Sequence, residues 1–378
     1  MSPPRALSCE KIHPFHFVPL FAKQTTEGCI LKPEIGNLVS AVQTNCNISD
    51  ARHAGDMTLC NYLLDMREFY RWEQGIAFSA IPEREKVGKW IAEREALWQD
   101  LENSEFMALH LGGRRFEPFD APGINAVLAP HGLVYGAGIG RFGKPQFFLG
   151  ELKREERRDV ARILITDREY ARDLSPAPAA LLENTIYLRQ ESLRRWLWEK
   201  IETWGVRKPQ GAFKETLDAY GFAEDPPGAL QRMTEEESET LILHELGEIE
   251  ADRYLGNAWK EMRSGIGSRR AELLVRAVRD NLADCLVTLP ALLERKAGAS
   301  IHFWFANFDG MRREIFPLLA SAYDGWNGGN AGLLRVAIRD GQDHWRVVCR
   351  QVLALHGADP GNDGGAIESL ITAEGIRL

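Results

Sequence analysis

No apolar run in this sequence approaches the ~18 residues that a helix needs to cross a bilayer, so no membrane span is expected. Excess positive charge is missing as well. Lys and Arg number 46 against 54 Asp and Glu, a net charge of −8. Nonspecific nucleic-acid binding needs a basic footprint, and nucleic-acid partners are therefore not expected. Cysteines are few and unpaired in spacing: six, at 9, 29, 46, 60, 285 and 349, with no C-x-x-C. That pattern suggests reduced thiols in a cytoplasmic protein. PFHFVPLF near the start is short and interrupted by His16 and Pro19, so it does not read as an export signal. There is no G-x-x-x-x-G-K-[ST] loop, no G-x-S-x-G elbow and no internal repeat.

What is present is a chain of 378 residues, 44% hydrophobic and 26% charged, long enough to bury a large core. Its most informative stretch is LILHELGEIEADRYLG, 241–256. Thr234 with Glu237 three positions on reads as a capping box, and Gly256 as a C-terminal stop. Ile242, Leu243, Leu246, Ile249 and Tyr254 cover one apolar face, while His244, Glu245, Glu248 and Asp252 cluster opposite. Leu241, Ala251 and Leu255 share that polar sector, and a helix apolar nearly all round is usually buried.

Residues i and i+4 lie one turn apart, so His244 and Glu248 can share a divalent metal: zinc, iron or manganese. Asp252, a turn further on, is another candidate ligand. Glu245, beside a ligand but turned from it, is the candidate catalytic base. The competing reading is a solvated acidic face that happens to carry a histidine.

Two further helices carry candidates. The segment 45–73 reads as one helix from about Ser49, with His53 pointing inward and Asp50 three residues before it, a spacing that di-iron carboxylate bundles use. An ordinary core histidine bonded to Asp56 is the alternative. The segment 268–296 reads as one helix with Asp280 and Asp284 at i, i+4; antiparallel packing on the 235–255 helix would join Asp284 to the metal set. Ion pairing with nearby arginines is the alternative there. His302 and His131 are weaker candidates, as core and pocket wall. Cys9, His13, His16 and Cys29 match no zinc-finger spacing.

Between these helices, VYGAGIGRFGKPQFFLGEL reads as two strands joined near Arg141–Pro145, and RILIT (162–166) and NTIYL (184–188) as two more. Gly138-x-Gly140-x-x-Gly143 is a formal dinucleotide pattern, but it leads into a strand rather than a helix, so that function is rejected. KREERR at 153–158 reads as a solvated face. The expected fold is α+β, predominantly α: a helical bundle with an inserted small β-rich region. Its parts are an N-terminal arm (1–37), a helical region (38–110), a β-rich region (111–190), a second helical region (191–356) and a flexible tail (357–378). The helices at 49–73, 235–255 and 269–295 are expected to pack together with the sheet against them.

NCNISDARHAGDMTLCNYLLDMREFYRWE, SLRRWLWEK and HELGEIEADRYLG together resemble an uncharacterised bacterial family of proteins of unknown function, from about Ile35 to Tyr323. The resemblance implies a bacterial, cytosolic protein and transfers no catalytic residue. HELGE separately resembles the zincin H-E-x-x-H helix over five residues, with Glu248 where zincins carry the second histidine. Three readings follow. The first is a metal-dependent, hydrolase-like enzyme acting on a small molecule or peptide. The second is a di-iron or di-manganese oxidoreductase joining His53 and Asp50 to His244, Glu245 and Glu248. The third is a non-catalytic scaffold or partner-binding protein.

Overall fold

A computed structural model describes residues 32–140, 143–359 and 363–378. The cluster Cys9, His13, His16 and Cys29, the arm's first 31 residues and Arg141 of the hairpin turn lie outside them.

The chain opens with three helices, α1 (Lys32–His53), α2 (Leu59–Glu73) and α3 (Arg84–Leu101). A short β1–β2 hairpin (Leu109–Leu111, Arg114–Phe116) and α4 (Ala121–Leu128) follow. Next come β3 (Leu133–Ile139), β4 (Pro145–Arg158), β5 (Ala161–Arg172), β6 (Ala179–Leu182) and β7 (Thr185–Arg189). They form one mixed sheet in the order β3-β4-β5-β7-β6, in which only the β5–β7 pair is parallel. The remainder is helical: α5 (Gln190–Arg207), α6 (Ala212–Ala219), α7 (Pro226–Gly265), α8 (Arg269–Ala283), a π-helical turn (Asp284–Thr288) and α9 (Leu289–Glu294). Then α10 (Gly298–Ala306), α11 (Gly310–Ile315), α12 (Pro317–Asn327), α13 (Ala331–Ala358) and α14 (Gly364–Thr372) close the fold.

The α+β, mostly helical class holds, but the sheet is a sizeable layer rather than a small insert. The long β4–β5 hairpin serves both helical regions. Near one end, Phe147, Leu149 and Ala171 pack with Leu38, Val42 and Cys46 of α1. Toward the other, Ala161, Ile163 and Ile165 pack with Ile186, Leu188 and α7's Ile242 and Ile249. Register shifts between Leu149 and Arg154 bend the hairpin between the two faces. Around Gly138, β3 pairs antiparallel with β4, the strand-to-strand order read from the sequence.

Five expectations are corrected. The 49–73 segment is two helices. A 3₁₀ turn at Ala54–Asp56 ends α1, and Thr58 caps α2 by accepting from the Asn61 N–H. The α1 and α2 helices do not join the C-terminal bundle through an apolar face. Instead α1 packs on the sheet and α3, and α2 meets α5 through Arg67–Glu202 and Arg195–Glu68. Thr234 caps nothing. The Asp225 carboxylate accepts from Gly228 N–H, Pro226 and Pro227 open the helix, and α7 runs through to Gly265. Gly256, at φ 71°, kinks α7 rather than ending it. The tail is docked: Ile367 and Ile371 are buried, α14 packs on α8 and α13, and Leu378 exchanges backbone hydrogen bonds with Ile315 and Leu318. Among the described residues, the four cysteines 46, 60, 285 and 349 are all free thiols, and no helix is long and apolar enough to cross a membrane.

Candidate metal centre

The position of α7 between the sheet and the C-terminal helices explains why it is apolar nearly all round. Ile242 and Ile249 face the strands. Leu243, Ala251, Leu255, Trp259 and Met262 face the core of α8, α13 and their neighbours. Tyr254, expected on the buried face, is exposed. Gly247 brings the two backbones close, since a Cβ there would stand 2.6 Å from the Ala283 carbonyl oxygen. The polar sector of α7 thus lies along a tight seam with α8.

Along this seam His244 Nδ1 lies 2.9 Å from Asp284 Oδ1, and Arg312 of α11 holds the other Asp284 oxygen. Asp284 is 1% exposed. It reaches His244 because the helix bulges: Leu289 N–H reaches back five residues to the Asp284 carbonyl. Pro290, which has no N–H, stands one residue further along. His244 Nε2 is left facing Glu248 Oε1 at 3.7 Å. One donor atom each from His244, Glu248 and Asp280 all lie within 4.8 Å of one another. Among the described residues this is the one such group.

The set differs from the expected one. His244 and Glu248 come together as read. Asp280 takes the place assigned to Asp284, which instead orients the histidine, as outer carboxylates do for metal-bound imidazoles. Asp252 lies 3.7 Å from Arg279 and outside the triad. Arg279 also holds Glu248 and approaches Asp280 at 3.4 Å. The pairing of Arg279 with Asp280 is the arginine alternative stated for that helix, whereas the hold of Arg279 on Glu248 and of Arg312 on Asp284 crosses between helices and was not expected.

The remaining candidates lie elsewhere. His53 ends α1, 3.5 Å from Asp56, the ordinary pairing. Asp50 is fully buried between Lys144 Nζ (2.6 Å) and Leu174 N–H (2.8 Å). The structure therefore does not assemble a di-metal set from both helices. His302 bonds Tyr323 Oη at 2.8 Å and stacks edge-on with Tyr323 and Trp326. His131 is exposed.

Electrostatics sort the roles further. Burial disfavours a charged His244, but Asp284, Glu248 and Asp280 outweigh it and push its pKa up to about 10. Burial would raise Asp284, yet His244 and Arg312 hold it at about 2. Glu245 is raised to about 8, by burial first and then by Glu248. A carboxyl titrating near neutrality suits proton transfer.

Its sign gives a prediction. Unfolded Glu245 ionises near pH 4.5, while the folded group keeps its proton to about 8. Its contribution to stability is complete below pH 4.5 and is lost as pH rises through 8. Glu245→Gln is therefore expected to stabilise the metal-free protein, by nothing at pH 4 and by on the order of 2 kcal/mol at pH 9. Urea melts at the two pH values check it, and equal effects at both would count against the raised pKa.

No curated protein and no solved structure matches the chain. Two family descriptions do: the "Family of unknown function (DUF6866) N-terminal domain" over residues 37–189, and its C-terminal domain over residues 194–374. Their junction falls where β7 gives way to α5, so the sheet belongs to the first and the His244 seam to the second. The chain belongs to this DUF6866 family of unknown function.

Proposed function

We propose that the α7–α8 seam is the centre of a metal-dependent hydrolase. The observation that carries the reading is the convergence of His244, Glu248 and Asp280 within 4.8 Å, with the far ring nitrogen of His244 anchored by Asp284. One imidazole and two carboxylates suit zinc, iron or manganese. Such an ion, when bound, lowers the pKa of a coordinated water. The residues supply the rest. His244 presents Nε2 with its orientation set by the Asp284 bond. Glu248 and Asp280 supply negative charge. Glu245 takes the proton released in the attack on the substrate and returns it to the leaving group.

A second reading is a purely structural ion network, and the direct pairing of Arg279 with Glu248 and of Arg312 with Asp284 favours it. Elemental analysis separates the two. Wild type grown with added zinc, iron and manganese should hold about one ion per chain. His244→Ala, Glu248→Ala and Asp280→Ala should each lose most of it, while Glu245→Gln should keep it. A metal-free wild type would leave the structural network standing.

A further inference from the structure

The metal triad accounts for only part of the charge in the seam. Arg263 lies on α7 beyond the kink at Gly256. Arg276 on α8 stands one turn before Asp280. Both are partly buried, and neither makes a hydrogen bond or an ion pair among the described residues. Glu272, one turn before Arg276, does not pair with it. Arginines withdrawn from water are ordinarily paired. Here the charges that act on Arg263 are those of Arg279, Arg276, Asp252 and Glu248: it shares one patch with the candidate ligands. Burial and the two neighbouring guanidiniums pull its pKa down. Arg279 adds a buried Nε that has no hydrogen-bond partner, and Asp252 Oδ1 is likewise without one.

We infer that Arg263, Arg276 and Arg279 form the anion-binding side of the metal centre, and that its substrate carries a phosphate group. The inference rests on the metal-dependent reading above. Two physical arguments support it. Guanidinium groups present planar forks of N–H donors that match phosphate oxygens, and Arg263 and Arg276 have theirs uncommitted. Charge balance points the same way. Apart from His244 and Glu245, four guanidiniums (263, 276, 279 and 312) meet four carboxylates (248, 252, 280 and 284). A divalent cation tips that balance positive by two charges. An ionised Glu245, the form that acts as base, offsets one of those charges, and an anionic substrate offsets the remainder, which a neutral peptide bond does not. Arg279 is then free to exchange part of its hold on Glu248 for the incoming phosphate.

The test is titration calorimetry of the full chain with inorganic phosphate, on metal-loaded and chelator-treated protein, with acetate as the comparison anion. Metal-loaded wild type should bind phosphate at least ten-fold more tightly than acetate, and more tightly than the chelated protein does. The double variant Arg263→Ala with Arg276→Ala should bind phosphate at least ten-fold more weakly while its metal content and circular dichroism match wild type. Metal-loaded wild type that ignores phosphate, binds acetate equally well, or is indifferent to the double substitution overturns the inference and leaves the metal centre intact. Wild type that holds no metal removes the parent reading and this one with it.

Discussion

Asp284→Asn is expected to cost the metal-free protein about 3 kcal/mol, because it removes a buried carboxylate that is the shared counter-ion of two partly buried cations. The Asp284 side chain is 1% exposed and binds His244 on one oxygen and Arg312 on the other. An asparagine fills the same volume but would have to offer an amide to one of two positive donors. The pH dependence identifies the cause. Asp284 titrates at about 2, so its contribution is complete above the usual carboxylate range near 4 and fades as pH falls through 2. His244 titrates at about 10, so its share is complete below 6.5 and fades as pH rises through 10. The gap between wild type and variant should therefore be widest from about pH 4 to 6.5 and narrow toward pH 10, with the Arg312 share remaining. Thermal melts across that range measure it. A loss independent of pH would assign the damage to packing alone.

Gly247→Ala should be comparably damaging for a different reason. The new methyl carbon would stand 2.6 Å from the Ala283 carbonyl oxygen, a backbone atom that cannot rotate away. Helices α7 and α8 must part, at a cost of about 1–3 kcal/mol. His244 moves away from Asp284 with them, so metal content should fall along with the melting temperature. Gly205→Ala is the control. It lies inside α5 with no atom within 4 Å of its would-be Cβ, and should stabilise by roughly 0.5–1 kcal/mol. A Gly247→Ala protein with wild-type stability and metal content would mean that the seam is looser than its geometry.

Local chemistry was legible and long-range chemistry was not. The i, i+4 pair of His244 and Glu248 follows from helix geometry alone, and so does the burial of α7. Its start was misread because two cap signals compete. Asp225 followed by two prolines fixes the first turn, and Thr234, eight residues into the helix, bonds back to Leu230 instead. The break after His53 was hidden because apolar periodicity runs on through Ala54–Asp56 while the backbone does not. Asp280 and Asp284 could not be assigned from spacing. A regular helix would rotate them together, and the π-helical turn separates their tasks. Arg312 comes from a different helix altogether, and nothing in its own neighbourhood marks it as a partner of Asp284.

That turn also says how to compare relatives. A π-helical turn carries one residue more than the α-helical turn it replaces, which is how a single-codon insertion looks when a helix absorbs it. A family member one residue shorter between positions 284 and 290 would have a regular helix there, and one flank would be turned by about 100° relative to the other. Its aspartate could be retained in the alignment and still not reach the histidine. For this family, then, the length of that short interval is a marker of the seam as informative as the identity of any residue within it.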